Sequence, residues 1–485
     1  MASTARRLSH AAALGAIGVY LVVALLRVDY PFEIEWMEGG ALGHVERILA
    51  GEPLYAPPSL NFTAFVYTPL YFWLASVFSA VSGGGFAPLR AVSLVASLLC
   101  FALVGHYVAR ESGDRGAGWL AAGLLAATFE ISGSWFDLAR IDSLFLAWTL
   151  AAVTALRFGR SAFAGVFAGL LAAAAFFTKQ SALPVFAPFL LCAWVERRAL
   201  WGAFFATFAA VVATGCIALD TNTDGWFSYY AFELPAQHAL RWRKLESFWR
   251  WDLIAKLPIA TLAAAAFFAR SRTRVADGRR FHACLAFGLI GSSLLARLHS
   301  GGYVNVLMPA YSGIAIFAGL AAVALPGSVA RVRRPAAVLA IFSMFLIQFG
   351  LLAYDPRSQL PGDDDRAAGE ALLATIRAED GDVLVVHHGY LPGLVGKPTS
   401  SQWMAVRDVL RAGRHPAGER LRAEVIEAIT ARRYAAIIVD GDWFEEDLLA
   451  SYALRGPVFD GDVFWPVTGH PTRPEWIYEP RSSSP

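Results

Sequence analysis

Cysteine is scarce. Cys100, Cys192, Cys216 and Cys284 all lie in or at the end of apolar runs, with no CxxC spacing. A disulfide framework and a cysteine zinc site are thereby excluded, and the four read as small buried side chains. Charge is scarce as well. Only 16% of the 485 residues are charged, and the net charge is +2. No run of Lys and Arg interleaves with aromatics, which excludes a nucleic-acid-binding surface. No internal repeat of fixed period occurs, so solenoid and propeller architectures are excluded. Residues 354–485 carry no GxGxxG, P-loop, GxSxG or HExxH pattern, and so no motif for dinucleotide, nucleotide, acyl-transfer or zinc-protease chemistry.

What is abundant is apolar sequence. The chain is 56% hydrophobic with a mean hydropathy of +0.47, above the roughly 45–50% of soluble proteins. Apolar runs of about 17–25 residues recur through the first 353 residues, the length that crosses a bilayer as a helix. Eleven spans are expected, near 10–27, 88–109, 117–134, 142–156, 161–178, 183–195, 199–218, 252–269, 281–297, 304–325 and 335–353. The first, after Arg6 and Arg7, is expected to be retained, since no small-x-small cleavage site follows it. Alternate turns carry arginine: Arg110 and Arg115; Arg157 and Arg160; Arg197 and Arg198; Arg270, Arg272, Arg274, Arg279 and Arg280; Arg331, Arg333 and Arg334. The positive-inside trend makes these turns cytoplasmic. The other turns, and residues 354–485 after an odd number of spans, fall outside.

The outer side gathers the chemistry. Its first loop, 28–87, opens with three carboxylates, Glu33, Glu35 and Glu38. Acids beside a membrane segment are costly to desolvate and mark function. Residues 39–50 have a helical pattern stopped by Gly51, Pro53, Pro57 and Pro58 keep the next stretch extended, and 70–82 reads as a helix on the membrane surface. The second outer turn holds Asp137, Arg140 and Asp142, with a helix-capping role as the plainer reading of Asp142. Lys179 and Gln180 end another span; snorkelling is the plainer reading of Lys179, and phosphate binding the functional one. The fourth outer loop mixes tryptophan and tyrosine with His238, Arg241, Arg243 and Lys244, a set suited to an anionic lipid headgroup. The fifth holds His299, Tyr303 and Asn305 around Gly301–Gly302.

Residues 354–485 differ: apolar runs shorten and charge density rises. DVLVV (382–386) and AAIIVDG (435–441) read as buried strands, and 367–377, 403–411, 419–429 and 445–452 as amphipathic helices. The expected architecture is an all-α polytopic membrane domain, 1–353, followed by a small extracytoplasmic α/β domain, 354–485. The acids of that domain, with His387 and His388, read as solvated surface or core.

An outward carboxylate suits general-base activation of an acceptor hydroxyl, and basic groups on neighbouring turns suit a donor phosphate. Glu35 and Glu38 could also hold a divalent cation such as Mg or Mn on oxygen ligands. In order, the stretches EWMEGG, HVERILAGEPLY, FVYTPLYFW, DLARIDSLFLAW, FTKQSALP and GGYVNVLMP resemble those of the GT-C membrane glycosyltransferases, in the protein mannosyltransferase-like group that includes the lipid A aminoarabinose transferases. The resemblance covers about residues 28–310. It implies a bacterial cytoplasmic-membrane enzyme, with a polyprenyl-phosphate sugar donor and a lipid, glycan or protein acceptor on the extracytoplasmic side. It also implies a catalytic acid in the first outer loop. Glu38 matches that family's glutamate, Asp142 its second acidic position and Lys179 its lysine, while Met37 stands where the family has aspartate. Glu38 thus ranks first as the base, with Glu35 a partner that could take the missing role and Glu33 a bystander. Tyr67 and Tyr71, from FVYTPLYFW, join the expected substrate pocket. The alternative function is a transporter or flippase of an anionic lipid-linked substrate.

Overall fold

The computed structural model describes residues 1–196, 198–270, 276–412 and 415–481. Arg197, Arg272 and Arg274, counted among the cytoplasmic arginines, lie outside the described residues. Helices form on all eleven apolar stretches. The first ten helices in the chain are α1 (Ala2–Arg27), α2 (Glu38–Leu49), α3 (Leu70–Ser82), α4 (Phe86–Ser112), α5 (Arg115–Ala127), α6 (Asp142–Phe158), α7 (Ala162–Thr178), α8 (Ala182–Phe186), α9 (Leu190–Val195) and α10 (Arg198–Thr221). Further apolar helices follow at Pro258–Arg270, Ala276–Leu298, Met308–Gly327 and Arg334–Leu351.

By length and composition, six helices among the described residues could cross a membrane alone. The bent pair Lys244–Ile254 and Pro258–Ala269, which turns by 99°, would make seven. The stretch 183–195, expected as one span, is broken: Pro188 interrupts it between α8 and α9. The chain is a multi-pass membrane protein.

Small residues set the helix packing. A Cβ on Gly118 would stand 2.5 Å from the Gly105 carbonyl oxygen, and one on Gly165 would stand 2.2 Å from that of Leu200. Backbones approach this closely only without side chains, the usual means of joining helices where lipid supplies no hydrophobic drive. Local signals place the ends. Asp114 caps α5 by accepting from the Gly116 and Ala117 amides, and Ser161 caps α7 through Ala164.

Residues 363–480 build the α/β element. Strands β1 (Val383–Val385) and β2 (Ala436–Val439) are parallel, joined through helices Trp403–Arg411 and Ala417–Thr430. Two antiparallel strands, β3 (Tyr452–Pro457) and β4 (Trp476–Pro480), complete the order β1-β2-β4-β3. Both parallel strands are fully buried, as their unbroken apolar sequence requires. β3 and β4 escape the sequence pattern, because β3 is mostly solvent-facing and lacks a continuous apolar run.

The loop 28–87 is the seam between the two parts. α2 begins at Glu38 and Gly51 follows its end with φ +73°, as the sequence predicts. The extended link after Pro53 is stapled back through His44. The His44 ring stacks on Phe65 and Phe72 at 4.6 Å each, and its Nε2 accepts from the Phe65 amide at 2.8 Å. Its Nδ1 meets the Gly40 carbonyl oxygen at 2.6 Å. Burial pushes this imidazole down to about 4 and keeps it neutral. α3 turns Trp73, Val77, Phe78 and Val81 outward, an apolar face of the kind an interfacial helix presents.

Candidate active site

The three carboxylates at the loop's start are all buried, and their surroundings divide them. Glu38 is saturated. Arg90 Nη2 and Nε donate to its two oxygens at 2.7 and 3.0 Å; the Ala139 amide donates at 2.6 Å and the Ile34 amide at 2.7 Å. Burial alone would raise its carboxyl, but Arg90 overrides this and holds it below the usual range. Arg90 also donates to the Tyr30 and Phe32 carbonyls at 2.6 and 2.7 Å. The Arg90–Glu38 pair therefore clamps residues 30–38 in one conformation.

Glu35 is the opposite case. It is 0% exposed, and neither of its oxygens makes a well-formed hydrogen bond. Arg140 Nη1 stands 3.7 Å from its Oε2. Burial pushes the Glu35 carboxyl up to about 8, against the pull of Arg140 and with the push of Glu38 and Glu33. Arg140 is buried too, and its Nε and Nη1 make no hydrogen bond. It rests near the rings of Trp135, Tyr67 and Phe65 at 5.4, 5.7 and 5.8 Å, and its Nη2 donates to the Tyr67 hydroxyl at 3.2 Å. Both groups are buried and keep donor and acceptor capacity that no hydrogen bond of normal geometry uses.

Asp142 lies next to this pair. It accepts from Lys179 Nζ at 2.7 Å and from Trp135 Nε1 at 2.8 Å. It does not cap α6, whose flanking residue is Ile141. Asp142, Lys179, Asn305, Ser181 and Ser292 line one small cavity. Tyr303 closes on Trp135, ring centroids 5.3 Å apart.

The structure thus brings together Glu35, Arg140, Tyr67, Asp142, Lys179, Asn305 and Tyr303 from four segments that connect the apolar helices. Other expected site residues serve the framework. Asp137 is held by Arg27 at 2.6 and 2.8 Å, both fully occupied in the interior. Tyr71 donates to the Leu89 carbonyl at 2.9 Å, and Gln180 to those of Val66 and Ala231 at 2.8 and 2.7 Å. The basic set expected at the donor phosphate, apart from Lys179, makes other contacts. Lys244 donates to the Gly302 carbonyl at 3.0 Å, the Arg241 amide to that of Leu298 at 2.7 Å, and Arg243 is exposed. His238 faces Asp408 at 3.4 Å, and His299 bridges to Leu240. Sequence reasoning missed Arg27, Arg90, Trp135 and the contact with the C-terminal part. Arg90 carried a usable signal, a lone charge inside an apolar span.

Glu35 and Glu38 do not fit a divalent cation. Arg90 occupies both oxygens of one, and the other faces a guanidinium. Among the described residues, no group of three or more His, Cys, Asp and Glu gathers as a metal site.

This arrangement sits in the GT-C fold of membrane glycosyltransferases. Residues 66–219 match the family model of dolichyl-phosphate-mannose-protein mannosyltransferase, so the resemblance seen in the sequence holds. Among solved structures, ArnT from Cupriavidus metallidurans bound to undecaprenyl phosphate is similar, at TM-score 0.61 and 14% identity over 97% of this chain and 98% of that one. Its apo state gives 0.56 and 14% over 96% and 97%. The oligosaccharyltransferase of Archaeoglobus fulgidus, in complex with Zn and sulfate, gives 0.55 and 11% over 88% and 67%. No curated protein sequence matches the chain.

Proposed function

We propose that the protein transfers a sugar from a polyprenyl-phosphate donor to an acceptor hydroxyl on the extracytoplasmic face, with Glu35 as general base. The observation that carries this reading is the buried Glu35 carboxyl, whose oxygens make no hydrogen bond of normal geometry, beside the partly used Arg140 guanidinium. A base must have a lone pair to offer, and Glu38 has none spare. Arg140 has two nitrogens, Nε and Nη1, that make no hydrogen bond and could donate to the phosphate that leaves the donor lipid, and Lys179, paired with Asp142, stands nearby as a second cation. The undecaprenyl phosphate bound by the structurally similar ArnT supports a polyprenyl donor.

Membrane topology supports one outward site. The first loop contacts residues 388, 390 and 468, so both lie on one side and an even number of crossings separates them. Five of the six long helices follow that loop, an odd number; counting the bent pair gives six, and all eleven apolar stretches give ten. We take the eleven-span arrangement as the working topology, with 1–353 as membrane domain and 354–485 as extracytoplasmic domain. The arginine-bearing turns then face the cytoplasm of a bacterial inner membrane.

The test compares cell-envelope glycans by mass with and without the gene, then in cells carrying only Glu35→Gln. Loss of one glycan species on deletion, and again in E35Q at unchanged protein level, is the expected result. An E35Q strain that keeps that species overturns the assignment of the base.

A further inference from the structure

We propose that His388 is a positioning residue for the Glu35 carboxylate, acting as an imidazolium clamped between Glu33 and Asp440. The proposal deepens the reading of Glu35 as base and rests on it. Its Nδ1 meets Glu33 Oε2 at 2.5 Å and its Nε2 meets Asp440 Oδ2 at 2.9 Å. All three side chains are buried. A neutral imidazole carries one N–H and can donate to only one carboxylate, whereas the imidazolium donates to a carboxylate at each nitrogen, and the two acids together favour that charged form.

The fold explains how the three meet. β1 and β2 are parallel neighbours with Val385 opposite Ile438, so His387–His388 and Asp440 leave the same end of the sheet side by side. That end faces the first outer loop. Glu33 is fixed there from several directions: its Oε1 accepts from the Gly39 amide at 2.8 Å, and its own amide donates to the Tyr390 hydroxyl at 3.2 Å.

Glu35 is two residues away and is gripped by the same assembly. The Thr472 hydroxyl donates to Asp440. Four residues earlier, Thr468 forms a bridge with Glu35, its amide donating to the Ile34 carbonyl at 3.2 Å and its hydroxyl to that of Gly133 at 2.6 Å. Gly469 then passes so close that a Cβ there would stand 2.9 Å from Glu35 Oε1. The cation thus ties both neighbours of Glu35, the Glu33 side and the 468–472 strap, to one sheet edge. The other titratable groups at this cluster are His387, 3.5 Å from Asp440; His470, against Trp36; Tyr390 and Glu38 beside Glu33; and Arg407 toward His470.

The experiment uses the full chain with His388→Gln, His388→Lys and Glu33→Gln. Three readouts are compared: the deletion-sensitive glycan species at several external pH values, binding of undecaprenyl phosphate, and hydrogen exchange of residues 33–38 and 464–472 in detergent. In H388Q the glycan product is expected to fall on the order of 100-fold, the cost of misplacing a reacting group by about 1 Å. Undecaprenyl phosphate binding stays unchanged and exchange quickens in both segments. H388K, which keeps the cation, restores much of the product, and E33Q repeats the H388Q pattern more weakly. Unchanged exchange with an unchanged pH profile in H388Q overturns the proposal, as does equal loss of product in H388Q and H388K. If E35Q retains product while H388Q still loosens residues 33–38, the base assignment fails and the tether stands.

Discussion

Glu35 and Glu38 sit three residues apart, equally buried, and have opposite prospects. Glu38 is the anion of a buried pair, so Glu38→Gln leaves the Arg90 charge uncompensated. A loss of about 3–5 kcal/mol is expected, read as a drop in thermal stability in detergent. Glu35→Gln removes a carboxyl that makes no hydrogen bond of normal geometry and that, pushed up to about 8, is protonated and so leaves Arg140 no less compensated near pH 7; the same measurement should show little loss while transfer disappears. The pH response follows from burial. With its carboxyl pushed up to about 8, Glu35 is protonated at neutrality and becomes a base as pH rises. Transfer should climb through pH 8 to a plateau in the wild type; a flat profile between pH 6 and 9 contradicts the role. His388 makes a contribution of its own. Burial works against its charged form, but Asp440 and Glu33 outweigh this and raise it to about 10. A folded value above the unfolded value of about 6.5 gives stability that is full below pH 6.5 and lost as pH rises through 10. The melting temperature of the wild type should fall across that window, and His388→Gln should flatten the fall.

At the scale of elements, the segment Phe464–Thr472 is the least expected part of the site. It carries no motif, yet it covers the Glu35 carboxylate through Thr468 and Gly469. Gly469 has φ +92°, and a Cβ there would also stand 2.8 Å from Trp36. Gly469→Ala must therefore shift the strap or the loop, and a fall in transfer with a stability loss of about 1–3 kcal/mol is expected, from strain at positive φ and the clash. The helices themselves were legible. The 70–82 and 403–411 helices fall where apolar spacing puts them, because a helix's period is written in its own residues. The buried β1 and β2 are equally readable as short apolar runs.

For the whole molecule, the contact between the first loop and the sheet edge makes a topological claim. A reporter at residue 84, in the 83–85 turn of the first loop, and one at residue 460, near the strap, should both be outside, while one at residue 113 should be inside. Cysteine labelling from intact cells reads this directly, and label at 113 contradicts the arrangement. The sequence by itself determined the membrane class, the helix positions and the family likeness, since each is carried by local composition and order. It could not rank the carboxylates. Glu33 read as a bystander and Glu38 as the foremost acid, because nothing local tells a saturated carboxylate from a free one. The partners that decide it, Arg90, Arg140, His388 and Asp440, lie 52 to 407 positions along the chain from Glu38, Glu35 and Glu33. Only tertiary packing selects which charge meets which acid, and with it which acid keeps a lone pair for chemistry.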